Sequence, residues 1–185
     1  MRVVRGGRVV YRKMREIMKE EFFPLVDETG RVTGKASRKE CHCGSFLLHP
    51  VVHLHVFDTK GRLLLQKRSM AKDIQPGRWD TAVGGHIDYG ETIEQALRRE
   101  AMEELGISEF NPARAFSYPF RSNVEYELIN SFYTVYEGEL HPDPVELDDC
   151  RYWEIVEIRQ NIGQGVFTPN FEMEFSKLEE MGIVK

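Results

Sequence analysis

The sequence predicts a mixed α/β (α+β) protein in which strands dominate the first half and one amphipathic helix carries the chemistry. Three observations point there. Two early runs of apolar and β-branched residues are each divided by a turn that begins with Asp and ends with Gly (D-E-T-G at 27–30, D-T-K-G at 58–61). Ile93 to Leu105 repeats its apolar residues at helical spacing. The stretch V-E-Y-E-L-I-N-S-F-Y-T-V-Y, from 124 to 136, is long and rich in aromatic and β-branched residues, as strands are.

Taken in order, residues 1–21 read as an N-terminal extension in which Tyr11 to Glu21 form a short amphipathic helix with Met14, Ile17 and Met18 on one side. Residues 22–185 read as a single domain. Its first hairpin joins F-F-P-L-V to R-V-T-G-K-A-S, and its second joins V-V-H-L-H-V-F to R-L-L-L-Q-K-R. Thr92 is placed to cap the helix that follows, and Gly106 stands where a left-handed residue would close it. A-R-A-F-S-Y-P-F and the long aromatic run are strands, H-P-D-P is a loop, and R-Y-W-E-I is a short strand. Thr168 followed by Pro169 starts a closing helix.

Composition narrows the function classes. The chain of 185 residues is 41% apolar, enough for a real core, and its formal charge of -5 argues against a nucleic-acid-coating surface. Three cysteines make no disulfide framework and fit a reducing compartment. No apolar run approaches about 18 residues and no signal-peptide core is present, so the expectation is a cytoplasmic protein without membrane or nucleic-acid partners. The segment ahead of the first hairpin is a candidate for exchange between two copies, which makes a homodimer an open expectation.

The end of the 93–105 helix is unusual. At about 100° per residue, Ile93, Ala96 and Leu97 fall on the same side as Glu100, Glu103 and Glu104, while Glu94, Gln95, Arg98 and Met102 take the other. The acids therefore continue the apolar stripe, at the pole where backbone carbonyls already gather negative charge. Carboxylates converging in such a place repel one another unless a cation joins them, and oxygen-only ligands suit Mg²⁺ or Mn²⁺. Taken alone, E-E-L-G also fits an ordinary polar helix end.

The wider spacing favours the cation. Gly85, then Glu91 after five residues, Arg99-Glu100 after seven, Glu103-Glu104 after two, and Gly106-Ile107 after one resemble the signature of the Nudix hydrolases. One position departs from the pattern: Ala101 stands where a larger aliphatic is favoured, which alters packing and not chemistry. The resemblance implies the Nudix fold, a mixed β-sheet sandwiched between helices, and Mg²⁺- or Mn²⁺-dependent hydrolysis of a small-molecule diphosphate such as a nucleoside diphosphate derivative. It assigns Glu100, Glu103, Glu104 and the Gly85 carbonyl to the metal, and Glu91 to holding Arg99, which aims Glu100. The carboxylate that accepts the proton of water varies in the family; Glu103, Glu104 and Glu146, in the loop before Trp153, are the candidates.

A second resemblance runs from about Phe22 to Phe175, through V-D-E-T-G-R-V-T-G-K-A-S-R, C-H-C-G-S-F-L-L-H-P, L-L-L-Q-K-R-S-M-A-K and P-G-R-W. These are similar to the Nudix branch that contains type-1 isopentenyl diphosphate isomerase. It implies a second metal set of His42, His49, His86, Glu125 and Glu127, suited to zinc or manganese, and a diphosphate grip by Arg68 and Lys72. A packed, hydrogen-bonded cluster and a solvated loop are the alternatives, and His53 and His55 read as packed sheet residues. The isomerase also needs a cysteine two residues before the third histidine. Here that residue is Gly84, which cannot move a proton, so hydrolysis is expected and isomerisation is the second reading. A catalytically idle binding module is the third, disfavoured by the complete set from Glu91 to Glu104.

Overall fold

The computed structural model describes residues 20–71 and 74–185. The helix expected from Tyr11 therefore lies outside the described residues except at Glu20 and Glu21, and so does Lys72. Strand β1 (Phe22–Val26) pairs with β2 (Val32–Ser37) as an antiparallel hairpin separate from the main sheet. The turn between them is made by Asp27, whose carboxylate accepts the backbone N–H groups of Thr29 and Arg31 at 3.0 and 3.1 Å. Asp58 does the same for Lys60 and Arg62 at 2.9 and 2.8 Å between β3 (Leu48–Phe57) and β4 (Leu63–Arg68). An aspartate that satisfies its own turn explains why both hairpins were readable as D-x-x-G.

A short helix, α1 (Arg38–Cys41), follows β2, and β5 (Trp79–Thr81) and β6 (Val83–His86) lead into α2 (Ile93–Leu105). The rest of the chain is β7 (Ala113–Arg121), β8 (Tyr126–Val135), β9 (Leu147–Trp153), α3 (Ile155–Asn161) and α4 (Pro169–Glu180). The main sheet has seven strands in the order β5-β4-β3-β8-β7, with β6 joined to β3 and β9 to β4. Strands β3 and β8 run parallel and the other pairs antiparallel, so the sheet is mixed.

Alternation along β3 divides the core. Val52, Leu54 and Val56 pack with Ala96, Leu97, Ala101 and Leu105 of α2 on one side. On the other, Phe57, Leu63 and Leu65 pack with Ile158 of α3 and with Phe171, Phe175 and Leu178 of α4. The sheet is thus sandwiched between helices, as the resemblance implied.

Helix α2 starts and stops where the sequence places its ends. The Thr92 hydroxyl accepts the Gln95 N–H at 3.2 Å, and the Gln95 side chain accepts the Thr92 N–H at 2.8 Å. Gly106 adopts φ of 70°, and Gly106 and Ile107 return their N–H groups to Met102 and Ala101. Two expectations need correction. R-Y-W-E-I is not one strand: β9 begins earlier, at Leu147, and ends at Trp153, and Ile155 opens α3, where Ile155, Ile158 and Ile162 recur at helical spacing and pack on the core. The inward stripe of α2 is also narrower than the wheel suggested. Ile93 is 36% exposed and the Glu103 side chain 61% exposed, because the helix packs through Leu97, Ala101 and Leu105 and turns those two residues to its margin.

Candidate active site

Strand β6, the loop after it and α2 assemble the signature residues. Arg99 is their hub. Its guanidinium donates to both Glu91 oxygens at 3.0 and 2.9 Å, to Glu100 at 2.7 Å, to Glu103 at 3.3 Å and to the His86 carbonyl at 2.9 Å. Such a fork holds three carboxylates in fixed relation. Burial would raise the Glu91 pKa, but the bonds from Arg99 bring it below its usual value. Glu100 differs: burial dominates and lifts its carboxyl to about 7 despite Arg99. A carboxyl packed this deep has an unmet demand for positive charge.

Gly85 is a glycine because Glu100 needs its place; a Cβ built there would collide with the Glu100 carboxyl group. The side chain is therefore laid across the bare backbone of β6. Glu104 reaches the same strand, accepting the Gly84 N–H at 3.1 Å and the Gln66 side-chain amide at 3.4 Å. The loop that carries Glu146 is pinned to the end of α2 by bonds from the N–H groups of His141 and Asp143 to the carbonyls of Leu105 and Glu104.

A second cluster occupies the opposite face of the same strand. Because β6 pairs with β3 and β3 with β8 in register, His86 lies across from Val51, and His49 across from Glu127. All four point to one side. Residues His42, His49, His86 and Glu125 each bring a ligating atom within 4.8 Å of the others. His42 Nε2 stands 3.0 Å from His86 Nε2 and 3.3 Å from Glu125, and Glu127 lies 3.9 Å from His86. His49 Nδ1 bonds the Leu47 carbonyl at 2.8 Å, and its buried Nε2 has no hydrogen-bond partner among the described residues. Burial, reinforced by Arg38, lowers His42 to about 4 and His86 well below the imidazole range, so both rings are uncharged at neutral pH. Burial lifts Glu127 to about 8, with Glu125 adding to it. Phe23 of the β1–β2 hairpin lies over His86, with ring centroids 4.3 Å apart and planes 6° apart, and closes the cluster from above.

The profile of the NUDIX domain matches residues 47–171. The chain belongs to the Nudix family. It is 33% identical over 153 residues to an isopentenyl-diphosphate Delta-isomerase of Streptomyces coelicolor, covering 80% of this chain and 78% of that protein. An uncharacterized Nudix hydrolase of Listeria monocytogenes is 34% identical over 154 residues, 82% of this chain and 90% of that one. Among solved structures, DR0079 from Deinococcus radiodurans superposes with a TM-score of 0.74 at 23% identity, over 85% of this chain and 98% of that one. The MutT protein from Methanosarcina mazei does so at 0.63 and 20%, over 73% and 95%. These structures carry the fold. The family match and the Listeria relative place the chain among the Nudix hydrolases, enzymes acting on pyrophosphate bonds.

The structure brings together Glu91, just ahead of the Nudix helix, and Arg99, Glu100, Glu103 and Glu104 of that helix, with Glu100 and Glu104 laid against Gly85 and Gly84 of the adjoining strand. Arg68 is not a loose cation: it donates to Asp80 at 3.1 Å and to the Ile74 carbonyl at 3.1 Å. Trp79 is half-buried edge-on to Trp153 and anchors the core on that side. His53 and His55 do sit in the packed sheet, yet they join something the sequence reading missed. Glu174 of α4, fully buried, lies 2.5 Å from His53 Nδ1 and 2.6 Å from His55 Nε2, and accepts from Ser131 and Tyr118 at 3.1 and 3.2 Å. Nothing in F-E-M-E-F marks Glu174 as a core residue except its place three after Phe171, on the apolar side of α4.

Proposed function

We propose that this chain is a Mg²⁺- or Mn²⁺-dependent pyrophosphohydrolase that cleaves the diphosphate linkage of a nucleoside diphosphate derivative or a related organic pyrophosphate. The observation that carries the reading is Glu100, buried against the bare backbone of Gly85 and clamped by Arg99 while its carboxyl is raised to about 7. A dication offers the missing positive charge, and the donors are all oxygens. Glu100, Glu103, Glu104 and the Gly85 carbonyl would hold it. When bound, such an ion neutralises the diphosphate and lowers the pKa of water.

The chain's own residues supply the remainder. Arg99 fixes the direction of Glu100 and is itself fixed by the bidentate Glu91. A carboxylate among Glu103, Glu104 and Glu146 accepts the proton of the attacking water. The oxygen of water bonds to phosphorus as the bridging P–O bond breaks. Arg68, and Lys72 beyond the described residues, are the candidate cations for the diphosphate.

His42, His49, His86, Glu125 and Glu127 would hold a second metal, and the unfilled buried Nε2 of His49 supports that assignment. Isomerisation remains less well supported than hydrolysis, since Gly84 places no proton-transfer group beside this set. The test is release of phosphate or nucleoside monophosphate from a panel of nucleoside diphosphate derivatives, comparing native protein with Glu103→Gln. The expected result is turnover in Mg²⁺ or Mn²⁺ that drops by about 100-fold or more in the variant. Turnover of no diphosphate in either metal overturns the proposal.

A further inference from the structure

Strand β4 carries a residue that its own pattern does not call for. Leu63, Leu64 and Leu65 are each 0% exposed, and Leu64 packs with α2. Gln66 lies two residues after Leu64, on the same face, and is 5% exposed. An apolar side chain would continue that stripe. An amide buried there must bond at both ends or lose the hydrogen bonds that water gave it. Gln66 bonds at one. Its Nε2 donates to Glu104 at 3.4 Å, while its buried Oε1 has no hydrogen-bond partner among the described residues. The two residues beside it in register do not supply one: Asp80 on β5 accepts from Arg68 and Thr168, and Cys150 on β9 makes no bond to it. The amide is nonetheless fixed in direction, because a carboxylate only accepts and so the NH2 end must face Glu104.

What Gln66 does lies at Glu104. The oxygen that it bonds also accepts the Gly84 N–H at 3.1 Å. One donor would let the carboxylate pivot, whereas two donors from separate strands, β4 and β6, hold it in place and in rotation. Glu104 is thus aimed by the sheet and not by its own helix. Glu100 is held differently, by Arg99 and against the bare backbone of Gly85. A half-bonded amide in a run of buried leucines is the kind of local conflict that proteins tolerate where a neighbouring group must be aimed.

We propose that Gln66 is a positioning residue for the carboxylate centre: with the Gly84 N–H it aims Glu104 at a divalent cation, and it gives up the stability that an apolar residue would bring to the same place. The inference rests on the hydrolase reading above, which makes Glu104 a ligand.

The test is calorimetric titration with Mg²⁺, a cation suited to oxygen donors and not to imidazoles, of native protein, Gln66→Leu, Glu104→Gln and the double variant, with thermal unfolding of native protein and Gln66→Leu in EDTA. Gln66→Leu is expected to bind Mg²⁺ about 10- to 100-fold more weakly, because a ligand has lost the partner that orients it. In EDTA it is expected to melt no lower than native protein. A purely structural role gives the opposite pair of results, a lower melting temperature with the affinity of the folded protein unchanged. Since Gln66 acts through Glu104, adding Gln66→Leu to Glu104→Gln should weaken binding by less than about twofold more. An affinity in Gln66→Leu within about twofold of native, a lower melting temperature in EDTA, or full additivity in the double variant overturns this inference alone. Mg²⁺ uptake without turnover of any diphosphate overturns the hydrolase reading but not the role of Gln66. Absence of any Mg²⁺ uptake that depends on Glu104 overturns both.

Discussion

Raising the pH from about 6 to about 10 should destabilise this protein through His53, and the amount follows from its surroundings. Burial by itself would lower the pKa of that imidazole, but the charge and hydrogen bond of Glu174, with Asp80 and Glu127 behind it, raise it from 6.5 to about 9. A group whose folded pKa exceeds its unfolded one stabilises the fold fully below the unfolded value and loses that contribution as pH rises through the folded value. Here the window is 6.5 to about 9. At about 1.4 kcal/mol for each tenfold step, the difference amounts to about 3 kcal/mol. For a protein of this size that corresponds to about 6–12 °C in Tm. Glu100 and Glu127, raised by burial to about 7 and about 8, also lower stability as pH climbs toward those values. The informative quantity is therefore native minus His53→Gln. Thermal unfolding followed by circular dichroism across this range should show the two melting curves separated near pH 6 and converging by about pH 10. A separation that stays constant, or grows with pH, refutes the charged His53–Glu174 pair.

Two further outcomes are expected. Gly85→Ala forces Glu100 off the β6 backbone, so kcat/KM should fall by about 100-fold with the far-ultraviolet circular dichroism unchanged; a fully active Gly85→Ala protein contradicts the placement of Glu100. Phe171→Ala removes a ring that is 0% exposed and packed between Phe167 and Phe175, which should cost about 3–5 kcal/mol in urea unfolding, and a cost below about 1 kcal/mol would show that α4 does not close the core.

What was legible early is what local chemistry decides. Thr92 and Gly106 bound the Nudix helix because capping is satisfied within a few residues, and Asp27 and Asp58 make their turns for the same reason. The spacing from Gly85 to Ile107 was legible because the site is built mostly on one continuous segment. Short pieces were not: β5, β6 and α1 have three or four residues, too few for any period to declare itself, and β6 is the strand on which both clusters meet. The helical wheel overstated how far Glu103 turns inward, since a wheel gives direction around an axis but not which sector the sheet covers.

By itself the sequence determined the turns, the capped helix and the order of acids along it, because these depend on neighbours within one or two turns of chain. Only the tertiary structure decided which carboxyl is buried, that Gly85 exists to admit Glu100, and that His42, His49 and His86 converge from three separate elements. The pairing of His53 with Glu174 spans 121 positions and depends on α4 packing against β3. No local rule reaches that far, since desolvation and charge act through space and are set only when the elements are in contact.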